Sequence, residues 1–186
     1  HCGETQMRVE RKLGESLAER RRDLGVAFER AHADELLHGA VDCVVGEDCF
    51  VQNYVDLDPG PGFKDYLCGG AGYDGHKGVD FAVRGGAEMA AGVAVIAAAA
   101  GVVKGVRDGE PDDGVERPGK TCGNGLVVDH GDGWETQYCH LRRGSLAVRP
   151  GQRIGLGDKV GLIGQSGRAQ FPHVHLSLRK DGETVD

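Results

Sequence analysis

The 186-residue chain lacks a basic excess, with Lys plus Arg numbering 22 against 29 Asp plus Glu, for a net charge of −7. Binding to a phosphate backbone needs the opposite balance, so no nucleic-acid partner is expected. A membrane-spanning run is missing as well. The longest uncharged stretch, residues 89–103, falls short of the roughly 20 apolar residues that cross a bilayer, and more than half of it is alanine and glycine. It reads as buried strands joined by a turn, and no transmembrane segment is expected. Proline is scarce at 6 residues, and the 32 glycines follow no Gly-X-Y period. A collagen-like chain and a proline-rich disordered one are both excluded. What is there suits many tight turns, and 39% hydrophobic residues supply one compact core plus an appendage.

No C-x-x-C pair occurs among the 6 cysteines, which argues against a thiolate zinc site. An even count without that spacing favours disulfides and an oxidising compartment, periplasmic or secreted. The chain opens with His1 and shows no charged segment followed by an apolar one. The expectation is a leader already removed or an incomplete start.

Residues 8–38 differ from the rest. Leu13, Leu17, Leu24, Phe28 and Ala31 recur at helical spacing among Arg11, Glu15, Glu19, Arg20, Arg21, Arg22 and Glu29, the pattern of an amphipathic helix. Gly14 and Gly25 each weaken it by about 1 kcal/mol relative to alanine. Residues 1–42 are therefore expected to form a helical or linker segment that docks on the domain or binds a protein partner. From residue 43 to 186 the texture changes to short β-type runs cut by glycine, at 93–96, 101–106, 126–129, 136–141, 160–163 and 174–178. With no helical stretch between them, these strands predict an all-β domain of antiparallel sheets, a sandwich or partly open barrel.

Three stretches carry chemistry. In Gly75-His76-Lys77-Gly78-Val79-Asp80-Phe81, strand alternation puts His76, Gly78 and Asp80 on one face and Val79 and Phe81 on the other. Glycine between an imidazole and a carboxylate leaves room for a metal ion, and both groups suit Zn²⁺. In Phe171-Pro172-His173-Val174-His175-Leu176-Ser177-Leu178, His173, His175 and Ser177 share a face opposite Val174, Leu176 and Leu178. In Tyr138-Cys139-His140-Leu141, His140 ends an alternating run and shares a face with Tyr138 and Thr136. A catalytic zinc site keeps three protein ligands and one open position. One carboxylate and four histidines are three ligands and two spare bases.

These motifs, in this order, resemble the three signatures of the lysostaphin-like (LytM-type) zinc metallopeptidases, which cut peptidoglycan cross-links and have the duplicated hybrid motif fold. The resemblance covers roughly residues 43–186 and extends through Ala98-Ala99-Ala100-Gly101-Val102-Val103 and Val148-Arg149-Pro150-Gly151-Gln152-Arg153-Ile154-Gly155. It implies that His76, Asp80 and His175 hold one zinc ion and that His140 and His173 are the catalytic pair. The substrate it implies is the stem peptides and cross-bridges of peptidoglycan. Two neutral imidazoles and one carboxylate leave such a site at a formal charge of +1, so the ion still acidifies its water. The two unligated histidines would share proton transfer and oxyanion stabilisation in either assignment. Two positions depart from the family's habit, Val174 where leucine is frequent and Cys139 where alanine is common.

Among the remaining cysteines, Cys122 and Cys139 flank the turn at residues 130–133 on the same face but about one pleat out of register, so a bridge between them needs a bulge or a strand-end shift. Cys49 to Cys68 is the expected second link. Residues 53–60 read as an acidic turn rather than a calcium loop, and His130 as a turn residue. His1, His32 and His38 fall in the helical segment. Two other functions compete. One is an inactive relative that binds cell wall or activates another hydrolase. The other is a lipoyl- or biotinyl-type carrier barrel with Lys159 at a turn after Asp158.

Overall fold

A computed structural model describes residues 40–185. The helix expected within residues 8–38 lies outside the described residues. The chain forms β1 (Phe50–Asn53), β2 (Val79–Ala82), a short helix α1 (Gly86–Ala91), β3 (Ala94–Ile96), β4 (Gly101–Arg107), β5 (Asn124–Gly131) and β6 (Trp134–Leu141). It continues with β7 (Arg153–Ile154), β8 (Lys159–Leu162), β9 (His173–Lys180) and β10 (Glu183–Val185). One sheet runs β1-β2-β9-β6-β5-β4-β7, with β10 pairing the second half of β9 beside β2, and β3 pairs β8 in a separate two-stranded sheet. Every strand pairing is antiparallel and the large sheet is not closed into a barrel, the fold class expected from the short glycine-punctuated runs.

Alternation along the central strands decides which face is dry. Val79 and Phe81 of β2, Tyr138 of β6, and Val174 and Leu176 of β9 are buried in one cluster with Val95, Val160 and Ile163 from and beside the small sheet. The opposite face of the same strands carries Asp80, Cys139 and His175, which stand side by side in register. A strand with its apolar residues at every second position can bury one face and expose the other to chemistry.

Residues 89–103 are not wholly strand. Met89, Ala90 and Ala91 finish α1, which is bounded by Gly85 and by Gly92 at φ 92°. An alanine-rich run favours helix where no strand partner claims it, and strand character begins only at Ala94. Ahead of β1, Ala40 and Val41 are buried in the core cluster, and Val41 bridges to Val95.

The disulfides came out differently from one expectation and as required by the other. Cys43 bonds Cys49, not Cys49 to Cys68. The reason is local, because Gly46 at φ 95° reverses the chain and its N–H bonds to Cys49 O at 2.7 Å, bringing the two cysteines together. Cys122 bonds Cys139, and of the two accommodations expected for this bridge the bulge is present. Between the pairs Asn124 with Leu141 and Leu126 with Tyr138, two residues of β6, Cys139 and His140, face the single Gly125 of β5.

Candidate functional site

β2 and β9 lie side by side, with Asp80 directly opposite His175 and Ala82 opposite His173. The loop before β2 delivers His76 to the same spot. Asp56 organises that loop by accepting N–H bonds from Asp58, Lys64 and Gly75, and the residues of the acidic turn are thereby held by backbone amides. The result is a tight triangle. His175 Nδ1 is 2.8 Å from Asp80 Oδ1, His76 Nε2 is 3.2 Å from the same oxygen, and the two imidazole nitrogens are 3.1 Å apart.

Hydrogen bonds behind the triangle fix which nitrogen is bare. His76 Nδ1–H donates to Tyr54 O at 2.7 Å, leaving Nε2 with a lone pair. His175 Nε2–H donates to Ser177 Oγ at 3.0 Å, and the serine hydroxyl donates onward to Lys77 O at 2.6 Å, leaving Nδ1 with a lone pair. Asn53 Nδ2 donates to Asp80 Oδ2 at 2.8 Å and aims Oδ1 inward. With both imidazoles neutral, three acceptors thus meet at one buried point with no donor between them. Such a set is repulsive unless a cation occupies its centre. Ligands at about 2.0–2.1 Å in a tetrahedron lie about 3.3 Å from one another, close to this triangle. His76, Asp80 and His175 form the group among the described residues that could hold a metal ion.

The electrostatics agree. Burial works to raise the Asp80 carboxyl, but its hydrogen bonds to His175 and His76 and the nearby imidazoles outweigh it and hold the carboxyl well below the usual range. Burial works to lower His76, while the bond to Asp80 and the charge of that carboxylate overcome it and raise the imidazole. The pocket attracts positive charge to the point where its lone pairs meet.

The remaining two histidines stand beside the triangle. His173 Nδ1–H donates to Phe171 O at 2.8 Å, and its Nε2 lies 3.7 Å from Asp80 Oδ1. His140 Nδ1–H donates to Ser166 O at 2.8 Å. The His140 ring centre is 4.7 Å from that of His173 and 6.1 Å from that of His175. Burial and the neighbouring His173 push His140 down to about 3, and burial lowers His173 as well. Both are neutral bases near pH 7. The structure therefore brings together all five residues singled out by the sequence.

His140 does not share a face with Tyr138 and Thr136. Tyr138 is fully buried in the core, where its hydroxyl accepts the Ala98 N–H at 2.8 Å. Strict alternation would send His140 the same way. Instead the bulge opposite Gly125 and a left-handed backbone at His140, φ 64°, turn the imidazole to the other face. That conformation costs a non-glycine residue about 1–2 kcal/mol, and bulges commonly re-aim a side chain at a site.

The space reserved by Gly78 is also filled otherwise than expected. A Cβ there would meet Leu176 O at 2.5 Å and the His175 ring at 2.7 Å. The glycine admits the imidazole of His175. Sequence reasoning missed Asn53, Tyr54 and Tyr73, whose ring lies 4.5 Å from that of His76. No local motif marks them, since each acts through tertiary contact. His130 lies near the end of β5, bonded to Ala100 O and Thr136 Oγ1, outside the cluster.

The sequence pattern of peptidase family M23 matches residues 74–186, more than half the chain and all five clustered residues. The chain belongs to peptidase family M23. Peptidoglycan DD-endopeptidase ShyA of Vibrio cholerae is 32% identical over 111 residues, 60% of this chain and 22% of ShyA. The DD-carboxypeptidase/endopeptidase Mpg of Neisseria meningitidis is 33% identical over 113 residues, again 60% of this chain and 21% of Mpg. This M23 chain thus spans about a fifth of the length of these curated relatives. Among solved structures, the catalytic domain of the prophage-encoded M23 protein EnpA from Enterococcus faecalis aligns with a TM-score of 0.53 at 23% identity, covering 76% of this chain and 91% of that one. The SpoIIQ–SpoIIIAH pore-forming complex gives 0.55 at 21% identity, covering 79% and 84%. These two likenesses show the fold. M23 membership displaces the carrier reading, and Lys159 opens β8 within a sheet.

Proposed function

We propose that this M23 protein is a zinc-dependent endopeptidase that hydrolyses peptide cross-links of bacterial peptidoglycan outside the cytoplasm. The observation that carries the reading is the convergence of three bare acceptors, His76 Nε2, Asp80 Oδ1 and His175 Nδ1, whose tautomers are set by Tyr54 O and Ser177 Oγ. Those three would hold the ion. When bound, zinc supplies Lewis acidity, lowering the pKa of a coordinated water and polarising the scissile carbonyl.

The chain's own residues do the rest. His140 and His173 each spend Nδ1–H on a backbone carbonyl, so each presents Nε2 to the cleft as a proton acceptor. Being neutral, one takes the proton of the attacking water, and in its protonated form it returns that proton to the departing amine. The other, once its Nε2 has taken a proton from solvent, donates to the developing oxyanion. Asp80 stays anionic throughout, because its carboxyl is held far below its ordinary range. The buried setting of His76, Asp80, His140 and His173 limits competing water and strengthens each interaction. Peptidoglycan as substrate, and a D,D cross-link as the bond, are supported by the names of ShyA and Mpg. A place outside the cytoplasm is supported by the Cys43–Cys49 and Cys122–Cys139 bridges.

Purified protein is expected to carry about one zinc per chain and to release peptides from peptidoglycan. His175→Ala is expected to lose both, whereas His140→Ala and His173→Ala keep the metal and lose about 10²–10⁴ in kcat. Full hydrolysis by His175→Ala overturns the reading. Zinc-loaded protein that binds wall without cutting it favours the second reading, an inactive wall-binding or activating relative. Mass spectrometry of defined muropeptides names the bond.

A further inference from the structure

We infer that the Cys122–Cys139 disulfide is a positioning device for His140, so that hydrolysis at this site requires the bridge to be closed. The inference rests on the endopeptidase reading above and adds a covalent requirement to it.

His140 is held in a conformation that local sequence does not favour. Its φ of 64° is left-handed, and it forms half of the two-residue bulge that faces Gly125. The other half of the bulge is Cys139. On the far side of the bridge, Cys122 accepts the backbone N–H of His140 at 2.8 Å. One bridge therefore grips His140 twice, through the peptide bond from Cys139 and through the carbonyl of Cys122. The Cα atoms of the two cysteines are only 4.8 Å apart, and Cys122 lies two residues ahead of β5, outside the strand.

A third contact holds the imidazole itself. Ser166 O accepts Nδ1–H of His140 while Ser166 Oγ accepts Asn124 N–H and donates to Leu141 O. This cradle orients the ring only if the backbone at residue 140 already faces it. With the bridge open, residues 139 and 140 are free to relax to ordinary alternation, which would turn the imidazole towards the Tyr138 side of the strand. The triangle of His76, Asp80 and His175 has its own supports in Tyr54, Asn53 and Ser177 and does not depend on the bridge. Cys139 is also in register with His175, so the sulfur stands on the sheet face beside the site.

The test compares zinc-loaded wild type with the double variant Cys122→Ala/Cys139→Ala and with Cys43→Ala/Cys49→Ala, a bridge that closes the turn ahead of β1. Zinc content, kcat and KM on a cross-linked muropeptide are measured on protein shown folded by circular dichroism. The Cys122/Cys139 variant is expected to keep about one zinc and a KM within twofold while kcat falls at least tenfold. The Cys43/Cys49 variant is expected to keep kcat within twofold. Equal kcat in the Cys122/Cys139 variant and wild type overturns the inference, as does an equal kcat loss in both double variants.

A second measurement needs no variant to fold. A water-soluble phosphine opens a disulfide by taking oxygen from water, giving two thiols and the phosphine oxide. In wild type so reduced, amide hydrogen exchange at His140 is expected to rise at least tenfold while that of Leu176 stays protected. Unchanged exchange at His140 overturns the inference. Should zinc-loaded wild type cleave nothing, the endopeptidase reading falls by itself, and the exchange measurement still decides whether the bridge positions His140.

Discussion

The imidazole of His175 occupies the volume that a side chain at Gly78 would take, with its Cε1 and Nε2 each 2.7 Å from an ideal Cβ there. The nearest atom is harder still to move, the backbone carbonyl of Leu176 at 2.5 Å. Gly78→Ala is therefore expected to push β2 and β9 apart at the site. Overpacking of this kind costs about 1–3 kcal/mol. The variant should show a lowered Tm together with at least tenfold weaker zinc binding in a chelator competition. Wild-type zinc affinity in Gly78→Ala would mean that His175 does not need that space.

Ser177 sets the tautomer of His175 by accepting Nε2–H while donating to Lys77 O. Removing a support of this type lowers metal affinity by about 10- to 100-fold. Ser177→Ala should show that loss by competition with a chromogenic chelator, with a smaller change in Tm than Gly78→Ala. If zinc affinity is unchanged, the proton on His175 is governed by something other than the serine.

How much of this was legible in the sequence differs by element. The apolar periods of β4, β6 and β9 announce themselves, because a half-buried strand must alternate, and the faces of β2 and β9 that carry Asp80, His173 and His175 follow from the same rule. The rule fails where the backbone leaves the strand region. Alternation alone puts His140 on the wrong face, because the bulge opposite Gly125 is a property of two paired strands, invisible in one of them. Cys43 pairs with Cys49 because a reversal at Gly46 brings them close, a matter of turn geometry that cysteine spacing does not encode. β7, two residues long, exists only because Gly101 and Val102 offer it partners. Asn53 reads as part of an acidic turn in the sequence, and only the pairing of β1 with β2 sets it against Asp80.

Zinc binding should release a proton. Despite burial, the bond to Asp80 and its charge raise the His76 imidazole, so metal-free protein holds a proton there to higher pH than an ordinary histidine does. Zinc must displace it. Affinity is then constant above that raised pKa and falls by up to about tenfold per pH unit below it for one displaced proton. Calorimetric titrations in two buffers of different ionisation enthalpy should give different apparent enthalpies near neutral pH. Identical enthalpies would show that His76 is already bare.

Acid stability should carry the mark of His140. Its folded-state pKa is pushed down to about 3, by burial first and by His173 next, against 6.5 for an ordinary histidine. Above 6.5 neither state holds the proton, and His140 contributes nothing to the pH dependence. Between 6.5 and 3 the unfolded chain takes up a proton that the folded protein refuses, so stability declines as pH falls, at up to about 1.4 kcal/mol per pH unit. Replacing the imidazole with a group that does not titrate removes that term. Metal-free His140→Gln, followed by denaturant unfolding from pH 7 to pH 4, should therefore lose stability less steeply than wild type by close to one proton. Parallel slopes would mean that His140 is charged in the folded protein, and a charged His140 could not accept a proton from the attacking water.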